Sequence, residues 1–439
     1  MKFGRLLIAA VLLGGLSAAV WYSNKKTAAD AGKPPADASP KVLTLKKEDI
    51  TQLEFKHREG DPTIVKKSGD GWRITAPKDL PASQSAIDSI LSSVSDISSD
   101  RLLDSNATDL AGYGLSPAVV EVDITMKDGK VSKLLLGEDT PTGSDVYAKV
   151  ESDPRLFTVG SFNKTSLDKT FNDLRDKSVL FFNPDKVSRV ELTAKKETIE
   201  FGRVNANEWQ ILKPKAARAD GLQVDEMVRK VKDAMTETLS DDDEKKAVSA
   251  FGSAPALATI KITDASGTQT LEIRKAKDDY YAKSSSVPGV LKVNADLGMA
   301  LDKSLDDFRN KKLFDFGFSD PTKIEFKDGA KDVTFEKTGD KWTSGGKTMD
   351  SISVQSLIDK LRDLSATKFP DTGFTSAAIE FTVVSNDGKR IEKVQIGANN
   401  IAKREGEPAL YEIDAKAVQD ARQAAGDIRE AAASTDKKK

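Results

Sequence analysis

The chain has 439 residues, 69 acidic side chains against 67 basic ones, no cysteine and a single histidine, His57. Charges of both signs are interspersed along it, so no basic stripe follows a phosphate backbone and nucleic acid is not an expected partner. The missing residue types exclude thiolate chemistry, Cys/His zinc sites and repeated histidine ligands, and the length asks for two to four domains.

Behind Lys2 and Arg5, residues 6–22 carry no charge, and this run just reaches the about 17 to 25 residues of a membrane-spanning helix. Trp21 and Tyr22 then fall at the outer interface. Ser17, Ala18 and Ala19 offer a signal-peptidase site, but the apolar run continues past it, which favours an uncleaved anchor over residues 1–23. With either reading the remainder is exported. No cysteine follows for lipid attachment, so the helix itself is the tether. Residues 24–41, rich in Ala, Pro, Lys and Asp, bury too little surface to order and form a flexible linker spanning on the order of 25 Å. His57, among charges in KHREGD, reads as a solvated residue at a strand end.

The rest of the chain repeats. GDGWRITAP at Trp72 is answered by ANEWQILKP at Trp209 and GDKWTSGGK at Trp342. Behind each tryptophan the helical period aligns four apolar residues: Ile87, Ile90, Leu91 and Val94, then Val224, Met227, Val228 and Val231, then Val354, Leu357, Ile358 and Leu361. Ser83, Asp220 and Asp350 stand as N-caps four residues before each set. Each tryptophan is expected to end a strand and bury its ring against that helix.

A β-hairpin follows in each copy, turning at Asp128-Gly129, Ser266-Gly267 or Asp387-Gly388. Two more strands come next in the first two copies, over 146–150 and 156–159 and over 280–283 and 290–293, whereas the third compresses toward LYEI at 410–413. A short helix closes each copy with an Asp-apolar-Arg ending at Arg175, Arg309 and Arg429. These arginines are candidate anion contacts or dipole-complementing residues in a last helical turn. Phe181, Phe182, Phe314 and Phe316 follow directly, which points to modules packed in a stiff elongated array.

No string carries a reaction. SGGKT at 344–348 lacks the glycine that a phosphate-binding loop needs five positions before its Gly-Lys pair and reads as a turn. The acidic run 241–244 lacks calcium-loop spacing and reads as a solvated loop capping the next turn. Paired-carboxylate hydrolysis has no distinctive spacing to support it. The expectation is no catalytic residue, no cofactor and no metal.

The segment LAGYGLSPAVVEVDITMKDGKVSKLLLGEDTPTGSDVYAKV at 110–150, with GWRITAP and its helix, resembles the bacterial domain-of-unknown-function 4340 family. The later copies depart from the pattern, with FGSAPALATIKI and GFTSAAIEFTV at the hairpin entry. The resemblance implies a single-pass envelope protein in the inner membrane, its bulk periplasmic, acting as an auxiliary beside gliding-motility-type ABC transporter components; it implies no active site.

The expected fold is α+β: an N-terminal transmembrane helix, then three tandem modules at 42–178, 179–313 and 314–431, each an antiparallel sheet packed with an amphipathic helix, and a charged tail at 432–439. The expected function is a non-enzymatic scaffold or transporter auxiliary, its partners the membrane and an envelope protein. The alternative is a module binding cell-wall glycan or a lipid-like ligand through Trp72, Trp209 and Trp342.

Overall fold

The computed structural model describes residues 40–206, 208–238 and 240–432. The expected anchor, the linker up to residue 39 and the tail beyond residue 432 lie outside the described residues. No helix among the described residues is long and apolar enough to cross a membrane. The last linker residue, Lys41, already belongs to a strand, Lys41–Thr44, paired antiparallel with Asp96–Ser98.

The chain divides into two compact units, residues 1–176 and 177–439. In the first, nine strands run in the order Leu80–Pro81, Gly71–Ala76, Thr63–Ser68, Ile50–His57, Val120–Met126, Val131–Asp139, Asp145–Val150, Leu156–Gly160 and Arg101–Asp104. Every neighbouring pair is antiparallel. Two meanders therefore lie side by side, joined where Ile50–His57 pairs with Val120–Met126, and the Gln84–Ser95 helix belongs to the connection between them.

The second unit repeats this order twice. One sheet begins at Ala217–Arg218 and ends at Leu291–Val293, and the other begins at Lys347–Thr348 and ends at Ala366–Lys368. Where the first and third sheets have a ninth strand, the second has only the bridge between Thr236 and Val293. The third copy is less compressed than its sequence implies: Ile401–Arg404 and Leu410–Ile413 are separate strands, and LYEI is the outer one.

Alternation along the strands sets one face of each sheet against its helix. The helix stripes are buried as spaced: Ile87, Ile90, Leu91 and Val94 in Gln84–Ser95, and their counterparts in Gly221–Lys232 and Ser351–Asp363. The caps form too. Ser83 accepts from Ala86 N, Asp220 from Leu222 and Gln223 N, and Asp350 from Ser353 N. Phe182, Phe314 and Phe316 are buried in the cores of the repeats they open, so they fill cores more than junctions.

The opposite face carries cross-strand ion pairs. Lys56 lies 3.0 Å from Glu121 and 2.7 Å from Asp123, Lys261 lies 2.6 Å from Glu191, and Lys393 lies 3.0 Å from Glu380. The hydrogen bond from Lys261 holds the Glu191 carboxyl below its ordinary range.

Two short strings resolve differently. SGGKT is a hairpin turn between Lys341–Ser344 and Lys347–Thr348, with Gly345 and Gly346 at φ 56° and 80°. The acidic run is no loop but the first turn of the Asp241–Ser253 helix, capped by Ser240, where the helix dipole favours carboxylates.

Replacing Trp72 by alanine is expected to destabilise the first unit by about 3–5 kcal/mol, the range for large buried aromatics. Asp220→Ala should cost the second unit about 1 kcal/mol through the lost cap. Thermal denaturation followed by circular dichroism checks both, and an unchanged midpoint for Trp72→Ala would remove the indole from the load of the core.

Candidate functional site

The three tryptophans are core residues. Trp72 is 8% exposed, Trp209 2% and Trp342 4%. Each sits at the second position of its strand, near the start and not the end. Its backbone organises the turn into the helix: the carbonyls of Trp72, Trp209 and Trp342 accept from Ala82, Ala219 and Met349 N, the residue before each cap. The Gln84 amide clamps both main-chain groups of Trp72 at 2.9 and 3.1 Å. The Trp209 indole donates to Asp225 at 2.8 Å and lies under the Arg203 guanidinium at 4.5 Å. Exposed stacking platforms are not what these side chains form.

The arginines of the shared ending are not equivalent. Arg175 and Arg309 stand at the C-caps of Phe171–Leu174 and Leu305–Phe308 with extended backbone, outside the last helical turn, and bridge to Ala82 and Ala219. In the third repeat the residue in that position is Glu430, bridged to Met349, so Arg429 is displaced by one. The cause is local. The first two endings are short helices set by capping boxes, Thr170 with Asp173 and Ser304 with Asp307, whereas the third emerges from the single Ala415–Gly426 helix. Arg429 is 74% exposed, with Nε 3.7 Å from Asp350. Arg309 pairs with Asp306 at 3.2 Å and covers the Phe369 ring at 4.8 Å. The Arg175 guanidinium lies over Phe171.

The strongest polar constellation of the second unit involves none of these six. Arg218, on the edge strand of the second sheet, reaches Asp315, Glu407 and Tyr411 of the third repeat, with Nε 2.8 Å from Glu407. Arg404 completes it, 2.9 Å from Glu407, 3.1 Å from Glu392 and 2.6 Å from the Leu313 carbonyl. Burial opposes the charge on Arg218, yet Asp315, Tyr411 and Glu407 outweigh it and raise its pKa. Burial also pushes the Tyr411 hydroxyl up to about 12, with Glu407 adding to the rise and Arg218 opposing it. Beside this network a cleft of about 400 Å³ is lined by Trp209, Arg218, Asn310, Asp315 and Arg390. These groups hold two repeats together, and within them the Tyr411 hydroxyl donates to Glu407 at 2.5 Å.

His57 closes its strand as its neighbours suggest, with Nε2 2.9 Å from Asp168. Among the described residues no three His, Cys, Asp or Glu side chains converge as metal ligands.

A second surface was not visible in the repeat pattern. Arg101–Asp104 is the outermost strand of the first sheet, and all four residues are exposed, Leu102 at 41% and Leu103 at 37%. It offers unpaired backbone donors and acceptors, the surface onto which an added strand docks. Its signal in the sequence is faint, four residues between the helix and the hairpin.

Arg218→Met should destabilise the second unit by about 3 kcal/mol, because it leaves Arg404 alone to balance Asp315, Glu407 and Glu392. A melting transition unchanged in this variant would contradict the role given to the network. Because the folded-state pKa of Tyr411 is raised, its contribution is present below about pH 10 and is lost as pH rises toward about 12. The difference in melting temperature between the parent and Tyr411→Phe should shrink over that window.

The family model described as Domain of unknown function (DUF4340) matches residues 72–210 and again 209–382. Each match starts at a repeat tryptophan, so the matched unit draws its strands from two successive sheets. No curated protein matches the chain. Among solved structures, a DnaN sliding clamp (DNA polymerase III subunit beta) from Pseudomonas aeruginosa bound to griselimycin is 8% identical, covering 86% of this chain and 94% of that one with a TM-score of 0.15. That likeness bears on neither fold nor function.

Proposed function

The chain belongs to the DUF4340 family, whose domain occurs in it twice, and on that premise we propose that it is a non-enzymatic, membrane-anchored scaffold of the bacterial envelope. Its anchor is the apolar run 6–22, with the repeats on the periplasmic side of the inner membrane. Its partner is an envelope protein, in the first instance a component of an ABC-type transporter.

The observation that carries this reading is the Arg101–Asp104 edge strand. The edge is short and carries a charge at each end, as natural sheets limit such edges, yet its two central leucines are exposed. A partner segment pairing with it gains main-chain hydrogen bonds and covers Leu102 and Leu103, while Arg101 and Asp104 fix its direction by charge. The glycan-stacking alternative needs accessible indoles, and the burial of Trp72, Trp209 and Trp342 speaks against it.

The test is affinity purification of the full-length protein from membranes in mild detergent. A membrane protein should co-purify with the parent and be lost from the variant carrying Leu102→Lys and Leu103→Lys, whose melting temperature should stay within a few degrees of the parent because both positions are exposed. Repeated recovery of the parent alone, or equal recovery of the partner with the variant, would sink the proposal.

A further inference from the structure

In the first repeat, residues 105–119 lie on the charged face of the sheet, away from the main core. Leu115 packs there with Leu135 and Leu156, and the Tyr113 ring meets Tyr147 edge-on at 4.9 Å. Two glycines permit this approach: a Cβ at Gly137 would come within 2.2 Å of the Tyr113 carbonyl, and one at Gly114, at φ 67°, within 2.6 Å of the Glu138 side chain. Arg58 fastens the segment by donating to the Gly114 and Pro117 carbonyls at 3.3 and 3.4 Å. The fit is built in.

This arrangement leaves a cleft of about 470 Å³ between the segment and the sheet, within the range of small-ligand sites, about 300 to 1,000 Å³. Leu110, Leu115 and Leu135 form its apolar side, and its charged lining sets Lys56, Arg58 and Lys149 against Glu121 and Glu151, which pair with Lys56 at 3.0 Å and with Lys133 at 3.9 Å. Lys56 and Arg58 already have acids, Asp123 at 2.7 Å and Glu138 at 2.7 Å. Among the described residues Lys149 has no carboxylate within ion-pair distance. It is 6% exposed and its ammonium donates to the carbonyls of Val150 and Asp153, while the Asp153 carboxylate, which lies in its field, is held by Arg155 at 2.6 Å. A buried ammonium without a carboxylate in contact favours an incoming anion.

The other repeats sharpen the point. Ala-Lys recurs at Lys149, Lys283 and Lys403 in the same strand register, opposite Leu135, Glu272 and Gln395. Lys283 and Lys403 are exposed, and Lys283 has a carboxylate-bearing residue as its strand neighbour and the Phe251 ring at 4.9 Å. The first repeat alone sets a leucine against the lysine and roofs it.

We infer that this cleft binds the anionic headgroup of a single-chain amphiphile, with Lys149 as counter-charge and the leucine side receiving the first methylenes. The headgroup is a carboxylate or a phosphate. The inference rests on the cleft and not on the edge strand, so either can fail without the other.

The test is titration calorimetry on the full-length protein in lipid nanodiscs, against empty nanodiscs, with octyl phosphate, octanoate, octyl glucoside and inorganic phosphate as probes. Saturable binding of an octyl anion is expected, with neither octyl glucoside nor inorganic phosphate replacing it; the tighter of octyl phosphate and octanoate identifies the headgroup. Lys149→Met, which keeps the apolar stem, should weaken binding at least about tenfold, and Lys283→Met should leave it unchanged. Leu135→Glu, which copies the pairing of the second repeat, should abolish binding by supplying an internal acid, and it keeps the question answerable if Lys149→Met fails to fold. Equal binding of octyl glucoside, undiminished binding in Lys149→Met or Leu135→Glu, or no binding of either octyl anion would overturn the inference.

Discussion

Each repeat turns on one backbone contact, the return of an N–H to the tryptophan carbonyl just before the helix cap. That bond ties the edge of the sheet to the start of the helix. The cap residue then donates its own N–H to the closing segment of the same repeat, Ser83 to Leu174, Asp220 to Phe308 and Asp350 to Arg429. Strand, helix and ending thus meet at one corner. The indole fills the space the corner encloses, which is why the same large side chain recurs there and is buried each time.

The two repeats of the second unit begin their sheets in contrasting ways. In the second repeat the Gln269 amide and the Ser284 hydroxyl hold the main chain of Phe181 and Val179. In the third, Glu392 and Arg404 take the same places against Asp315 and Leu313. The neutral clamp serves one sheet only. The charged clamp also needs compensation, and Arg218 of the neighbouring sheet supplies part of it. Buried ion networks of this sort add little net stability over apolar packing, but they penalise every arrangement that leaves a charge alone. Their effect is to specify which surfaces meet.

Local chemistry was largely legible in the sequence, and long-range chemistry was not. The helix stripes, the three caps and the three hairpins follow from spacing and turn residues; all form, though the second hairpin turns at Ala265-Ser266, one residue before the expected dipeptide, with Gly267 already paired to Asp264. The aligned arginines misled because a shared string hides whether capping boxes or one long helix precede it, and a slip of one residue makes Glu430 the counterpart of Arg175. The acidic run looked like loop because its charge is what a helix start and a solvated turn have in common. Arg218 and Asp315 lie far in the chain from each other and from the Glu392, Arg404 and Glu407 group, so only the folded sheets bring them together. The same holds for Lys149, which shares its Ala-Lys string with two exposed lysines.

The family match runs from one tryptophan toward the next, out of phase with the sheets. A crossover between genes at the tryptophan segment would therefore join the two sheet strands that precede the tryptophan in one repeat, Ile50–His57 and Thr63–Ser68 in the first, to the helix and remaining strands of another. Chimeric sheets would be the immediate product, yet the corner contact would be re-formed, since its backbone bond asks only for a tryptophan-bearing strand followed by a cap. Repeat number can then change by whole periods without leaving a sheet half made. Among the three copies in this chain the corner is what recurs, while the outer faces and edges differ from copy to copy.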